Sequence, residues 1–292
     1  MPPTIMLGEV RIDRIVERDG PWRSPAAMFP TADPAVAHDH LRHMEPFLYD
    51  AVSDRLVITY QSFLVRTPRH TLLIDTCVGA DKPGRWPALA FPKAPWVDGL
   101  RATGIGFDQI DYVFCTHLHV DHCGWNTRLV DGRWVPTFPN ARYVFSRREF
   151  EAWQAADAIA VHESGPHFRD SVLPVVEAGR AVLVDDDFQL DDTVWLSPSP
   201  GHSPGHVCVN VQSNGVRAVF TGDMMHHALQ CIEPDWSTVF CSDPALAARS
   251  RRRCLDDYAG RDVVVLPTHF PAPTAGRVVG AGAAWRFRFT GR

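Results

Sequence analysis

No run of 18 uninterrupted apolar residues occurs in the chain of 292, so a membrane-spanning helix is not expected. The amino-terminal MPPTIMLGEVRIDRIVERDG lacks a basic segment followed by a long apolar one. A secretory leader is therefore not expected, and a cytoplasmic location is. Positive charge is not in surplus: 29 Lys and Arg stand against 34 Asp and Glu, a formal net charge of −5. That balance removes the whole-chain reason to expect a nucleic-acid partner. A CxxC pair is lacking and the seven cysteines are odd in number, which reads as reduced thiols rather than a disulfide framework. Repeats of solenoid period and low-complexity tracts are absent as well. With 45% apolar and 22% charged residues, the composition excludes disorder, collagen and coiled coil.

Proline gathers in two places, 21–46 and 83–95. Both are expected to be irregular surface segments, because Pro blocks helix interiors and central strands. Short β-branched runs predict strands at 9–16, 56–59, 61–66, 71–75, 112–115, 141–145, 181–184, 193–196, 207–212, 217–221 and 263–266. Helices are predicted at 95–103, 147–156 and 244–258. The last follows Ser242-Asp243 as a cap, carries Pro244 in its first turn and stops before Gly260. Arg251, Arg252 and Arg253 on that helix are expected to face solvent. Strands come first in series and later alternate with helices, with no break in composition. This predicts one α/β domain over 1–292, built on two packed sheets.

Histidine is what the chain has in plenty, fourteen residues. Cys115-Thr116-His117-Leu118-His119-Val120-Asp121-His122 follows directly on the predicted strand 112–115. Residues two apart in an extended segment point the same way, so His117 and His119 can share one metal. Asp121 and His122 lie just beyond, where the chain can turn, and can address a second. Such ligands suit borderline divalent cations, zinc first, with Mn, Fe and Co also accepted. Three further predicted strands end on metal-type side chains: His202 after 193–196, Asp223 after 217–221 and His269 after 263–266. In open α/β sheets, ligand groups gather at the carboxyl ends of strands. The five His and two Asp divide as three His on one metal, then Asp and two His on the other, with one carboxylate bridging. Two divalent cations, two carboxylates and a hydroxide leave a net positive site. Such a site stabilises a developing oxyanion and lowers the pKa of bound water, so hydrolysis is the expected chemistry.

This ordered set resembles the metallo-β-lactamase superfamily. The residues are His117-Leu118-His119-Val120-Asp121-His122, Gly201-His202-Ser203-Pro204-Gly205-His206, Gly222-Asp223 and His269, preceded by Leu72-Leu73-Ile74-Asp75-Thr76. The resemblance implies an α/β fold, an αββα sandwich of two mixed β-sheets flanked by helices, with a two-metal site at one edge. It implies that His117, His119 and His202 bind the first metal, Asp121, His122 and His269 the second, and that Asp223 bridges. The chain then divides into an N-terminal extension 1–50, a metal-binding core 51–270 and a C-terminal strand segment 271–292.

Among the branches, β-lactamases proper carry Cys at the place of Asp223, and flavo-diiron reductases carry Glu at that of His119. Glyoxalase II-like thioesterases need a C-terminal helical domain, whereas here only 270–292 follow the last ligand and 285–289 reads as a strand. What remains resembles the lactonase and organophosphate-hydrolase branch, similar to N-acyl homoserine lactonases and methyl parathion hydrolase. The implied activity is hydrolysis of a lactone or carboxylic ester by a metal-bridging hydroxide, with Asp121 orienting it and passing on its proton. Many lactonases of this group have Tyr three residues past the bridging Asp; here stands His226, a candidate catalytic residue in that role. His227 and His206 are expected to be structural, the latter fixing its loop by a hydrogen bond. Trp86 and Phe91, in the second Pro-rich segment, are candidates for an acyl or aryl pocket, and His162 a candidate for its lining. The alternatives are phosphotriester hydrolysis, a non-catalytic metal-binding sensor, and a mononuclear iron sulfur dioxygenase. The expected partner is a small-molecule ester or lactone, with no nucleic acid or membrane, and 21–50 is a candidate arm for a homodimer.

Overall fold

The computed structural model describes residues 4–282 and 284–290. Two mixed sheets lie face to face. In the first, the order is Ile5–Leu7, Val10–Arg23, Arg55–Arg66, Thr71–Ile74, Tyr112–Phe114, Arg142–Ser146 and Ala181–Val184, and Tyr49–Asp50 also pairs with Arg55–Arg66. The second runs Val194–Pro198, Val207–Ser213, Val216–Phe220, Val263–Leu266, Gly276–Ala281 and Ala284–Phe289.

Strand alternation sorts the apolar side chains into layers. Phe63, Val65, Leu72, Ile74 and Phe114 point from the first sheet into the space between sheets, where they meet Val209, Ala218, Phe220, Val264 and Leu266. Phe63 and Phe220 touch across it, their ring centroids 5.0 Å apart. The alternate residues Leu64, Leu73 and Val113 face outward onto Trp96 and Leu100 of helix Ala94–Ala102, and onto Phe150 and Trp153 of helix Arg147–Ile159. On the far side, Val219, Val263 and Val265 face Cys254, Leu255 and Tyr258 of helix Pro244–Tyr258. The layers are helix, sheet, sheet, helix, as expected.

Several details depart from expectation. The strands predicted at 56–59 and 61–66 are one twelve-residue strand, Arg55–Arg66, because Tyr60 continues the pleat. The first strand extends to Arg23. The proline-rich stretch 21–46 is not irregular: it holds helices Pro25–Met28 and Pro34–Arg42. In each, Pro occupies the first turn, where its missing N–H costs nothing, and the preceding Ser24 or Asp33 caps the amides. Their apolar residues Met28, Ala37 and Leu41 pack on Leu56, Ile58 and Val120. Arg251 is not solvated: it is buried, and its guanidinium donates to the carbonyls of Met224 and Pro234. The predicted strand 285–289 is present as Ala284–Phe289, while 283, 291 and 292 of the C-terminal segment lie outside the described residues. No helix among the described residues is long and apolar enough to cross a membrane.

Candidate metal centre

Four strand ends deliver the ligand residues: Tyr112–Phe114, Val194–Pro198, Val216–Phe220 and Val263–Leu266. Tyr112–Phe114 runs parallel to Thr71–Ile74, and Val216–Phe220 parallel to Val263–Leu266. Within each pair, parallel pairing puts the carboxyl ends at the same edge. The turn after Phe220 is tight, and Gly222 has φ of +48°. A Cβ there would lie 2.6 Å from Thr116 Oγ1 and 2.7 Å from His206 Nε2, so only glycine can precede Asp223 in this position.

All seven predicted ligand residues come together. His117, His119, His202 and Asp223 each place a ligand-type atom within 4.8 Å of the others, and Asp121, His122 and His269 form a second such group. Asp223 joins them. Its Oδ2 lies 3.1 Å from His202 Nε2 and 3.7 Å from His117 Nε2, while Oδ1 lies 3.1 Å from His122 Nε2 and 3.0 Å from His269 Nε2. Burial works against its charge, yet the imidazoles of His122, His269, His226 and His202 hold the Asp223 carboxyl well below the usual carboxylate range. The carboxylate of Asp121 approaches the second group, 3.6 Å from His269 Nε2 and 3.9 Å from His122 Nε2.

The inward ring nitrogens are set by what the outward ones do. His122 Nδ1 donates to Asp75 Oδ2 at 2.8 Å, and His269 Nδ1 donates to the Thr59 carbonyl at 2.8 Å. Each thereby turns its Nε2 toward Asp223; burial works against a charged ring, but the Asp223 carboxylate raises the pKa of both, and a cation held there would take the place of that proton. Burial, with the imidazoles of His122 and His119 beside it, pushes His117 well below its ordinary pKa, so the ring is neutral. Nε2 of His117, Nε2 of His122 and Oδ1 of Asp223 are buried without a hydrogen-bond partner among the described residues. Converging bare donors of imidazole and carboxylate type are what divalent cations satisfy, and two such ions fit the two groups.

His226 is part of the site. Its Nε2 lies 3.0 Å from Asp223 Oδ2, and its ring stacks on those of His269 at 5.2 Å and Phe240 at 6.2 Å. With Asp223 and His269 it forms a third group of metal-binding type. His206 does what its loop position suggests: Nδ1 meets Ser199 Oγ at 2.7 Å and Nε2 accepts from the Asp223 amide at 3.0 Å. His227 turns away to the Leu48 carbonyl, 3.0 Å distant. A cavity opens over the groups, walled by Trp22, Ile58, Trp86, Leu89 and Phe240, with His162 on its rim. Trp86 is thus a wall residue, whereas Phe91 packs behind it on Tyr60.

Two residues that sequence reasoning left without a role hold the ligands in place. Asp75 accepts from His122, and from the amide and hydroxyl of Thr116. Its signal was visible, an Asp ending a parallel strand. Glu149 accepts from the amides of Leu118 and Gly205, the Ser203 hydroxyl and Trp153 Nε1, and so ties the His119 loop to the His202 loop. Gly205 makes this approach feasible, since a Cβ there would lie 2.3 Å from the Glu149 amide.

The chain is similar in part to known proteins. N-acyl homoserine lactonase AiiB of Agrobacterium fabrum is 30% identical over 144 residues, 44% of this chain and 46% of that protein. N-acyl homoserine lactonase AttM of Azorhizobium caulinodans is 31% identical over 159 residues, 49% of this chain and 56% of that one. The matches therefore span about half the length of these curated relatives. Among solved structures, the hydrolase AbOPH superposes with a TM-score of 0.83 at 21% identity, over 99% of this chain and 97% of that one. AidC, a dizinc quorum-quenching lactonase in complex with a product, gives 0.79 at 20% identity over the same shares. At these identities the likeness is one of fold. Residues 58–269 match the metallo-beta-lactamase superfamily as a whole, and with the sandwich and its strand-end histidines this places the chain in that superfamily.

Proposed function

We propose that the protein is a dinuclear metal-dependent hydrolase that opens a lactone or cleaves a carboxylic ester. The observation that carries this reading is Asp223, whose two oxygens face the His117/His202 and His122/His269 groups at the floor of an apolar cavity. His117, His119 and His202 would hold one cation, Asp121, His122 and His269 the other, with Asp223 shared. When bound, such a pair would supply Lewis acidity and lower the pKa of bound water.

The chain's own residues do the rest. Trp22, Trp86 and Phe240 take the apolar part of the substrate and exclude bulk water. Asp121, partly exposed to the cavity, takes the proton of the attacking water. As the carbonyl carbon gains an oxygen and the ester C–O bond breaks, Asp121 returns that proton to the leaving oxygen. His226 donates to Asp223 and holds its orientation. A lactone yields a hydroxy acid, and one proton appears in solution at neutral pH.

The similarity to lactonases favours a lactone with an acyl chain, zinc as the first metal to try, and a small molecule as partner. The seven free thiols favour the cytoplasm, and 21–50 is the segment to probe for a homodimer contact. The test is metal content per chain together with turnover of a lactone panel, scored by proton release, beside neutral phosphotriesters. Two metals with lactone turnover support the reading. Two metals with phosphotriester turnover alone redirect it, two metals with no turnover favour a sensor, and one metal or none removes the dinuclear mechanism.

A further inference from the structure

Strand Arg55–Arg66 passes the cavity at Tyr60, opposite an irregularity in its partner. Val16 pairs with Gln61 and Arg18 with Tyr60, so Glu17 is a bulge with no cross-strand mate. Bulges re-aim side chains beside functional sites. Here the Glu17 carboxylate turns to the amides of Val78 and Gly79 and to Trp125 Nε1. The Tyr60 ring is fixed by neighbours on several sides. It stands edge-on to Trp22 at 6.1 Å, tilted on Phe91 at 5.4 Å, and edge-on to His269 at 5.5 Å.

Tyr60 is 2% exposed, yet it lines the cavity with Asp121, Asp223 and His226. Its hydroxyl makes no hydrogen bond among the described residues. Phenylalanine would fill the same space and keep the ring contacts, so the hydroxyl, held by no protein group, is free to meet a ligand in the cavity. As carboxylates Asp121 and Asp223 accept, Asp121 donating only after it has taken the proton of the attacking water, and the His226 Nε2 faces Asp223 while its Nδ1 is without a partner among the described residues. The Ser164 hydroxyl at the rim is paired with His162 Nδ1 at 2.7 Å. Tyr60 thus adds a neutral O–H donor to the cavity lining beside Asp121 and Asp223. Its ring leans on His269, and Asp121 is the foremost carboxylate acting on it. Both belong to the second group, the side on which the leaving oxygen is protonated in the proposed reaction.

We infer that Tyr60 donates a hydrogen bond to the leaving oxygen of the substrate as the ester bond breaks, a catalytic role that rests on the hydrolase reading above. No proton is transferred by Tyr60. The bond strengthens as negative charge grows on that oxygen, so the contribution is largest where the leaving group is poor.

The test uses metal-loaded protein and a series of esters sharing one acyl group, with leaving groups from nitrophenol to simple alcohol. Tyr60→Phe, which keeps the ring contacts, should slow alkyl esters and lactones by about 10²-fold while leaving nitrophenyl esters nearly unchanged. The dependence of log kcat on leaving-group pKa should steepen accordingly. Equal loss across the series at full metal content, or no loss, overturns the inference while leaving the hydrolase reading standing. A fluorinated tyrosine at position 60, a stronger donor of the same shape, should flatten the slope; a slope that stays as in the wild type also counts against the role.

A second readout does not need turnover. The ring-opened hydroxy acid, whose hydroxyl is the former leaving oxygen, should bind Tyr60→Phe about tenfold more weakly than wild type. The acid lacking that hydroxyl should bind both alike. Equal binding of the hydroxy acid overturns the inference even if no ester is hydrolysed, and absence of all ester turnover by the wild type separately removes the hydrolase reading.

Discussion

Nδ1 of His122 lies 2.8 Å from Oδ2 of Asp75, and both side chains are fully buried. The same carboxylate accepts from the Thr116 amide at 2.8 Å, immediately before His117. One anion thus aligns a ligand of each metal group. Asp75→Asn keeps the shape but replaces one accepting oxygen with a donor. We expect the variant to fold and to hold metal about 10- to 100-fold more weakly, measured by competition with a chromophoric chelator. Unchanged affinity would mean that Asp75 serves only the fold.

Glu149 presents a harder test of the same principle. Its two oxygens take four hydrogen bonds, at 2.8 to 3.0 Å, from the loops that carry His119 and His202 and from Trp153. Glu149→Gln sets an amide N–H₂ against donors. A loss of about 3 kcal/mol in urea unfolding is expected, with reduced activity at saturating metal. If stability falls and activity per folded molecule does not, the loops are positioned without it.

These two residues also mark where the sequence stops being informative. Each ligand-type residue was legible because its signal is local: a β-branched strand, then a short polar turn ending in His or Asp, as at Val263–Leu266 and His269. Asp75 and Glu149 act on residues 47 and 54 positions away, a relation no local pattern carries. Glu149 is masked further, because Ser146 caps its amide and the pair reads as an ordinary helix start. Proline misled at 21–46 for a related reason: its cost depends on position, and at a first helical turn there is none. Arg251 read as one of three solvated arginines, yet its turn of helix Pro244–Tyr258 faces the carbonyls of Met224 and Pro234. The layered fold was legible because Leu72, Leu73 and Ile74 can all be apolar only if both faces of their strand are covered.

The cavity wall makes a prediction about substrate shape. Trp86 lines the cavity, 6.2 Å from Phe240 and 6.5 Å from His162, and touches neither metal group. Trp86→Ala should raise KM more for long acyl chains than for short ones. The expected increment approaches about 0.8 kcal/mol for each CH₂ that loses its contact, with kcat nearly unchanged. A fall in kcat at constant KM would instead place Trp86 in the ordering of the reacting groups.

His227 provides a test of stability that is separate from the metals. Its Nε2 donates to the Leu48 carbonyl at 3.0 Å and its Nδ1 accepts from the Leu229 amide at 3.2 Å, so the folded protein needs the neutral ring. Burial pushes its pKa down from 6.5 to about 4, with the Leu48 carbonyl opposing. The unfolded chain therefore binds a proton at higher pH than the folded one. Above about 6.5 both states are neutral and the residue contributes no pH dependence; between 6.5 and about 4 protons favour the unfolded chain. The separation of the two values corresponds to about 3 kcal/mol of stability lost as the pH falls through that window. His227→Gln keeps a donor for Leu48 and cannot titrate. The stability of the wild type relative to this variant should fall by that amount between pH 7 and pH 4, measured by urea unfolding. Parallel curves for the two proteins would show that the His227 ring is protonated in the folded state or that the unfolded chain shields it equally.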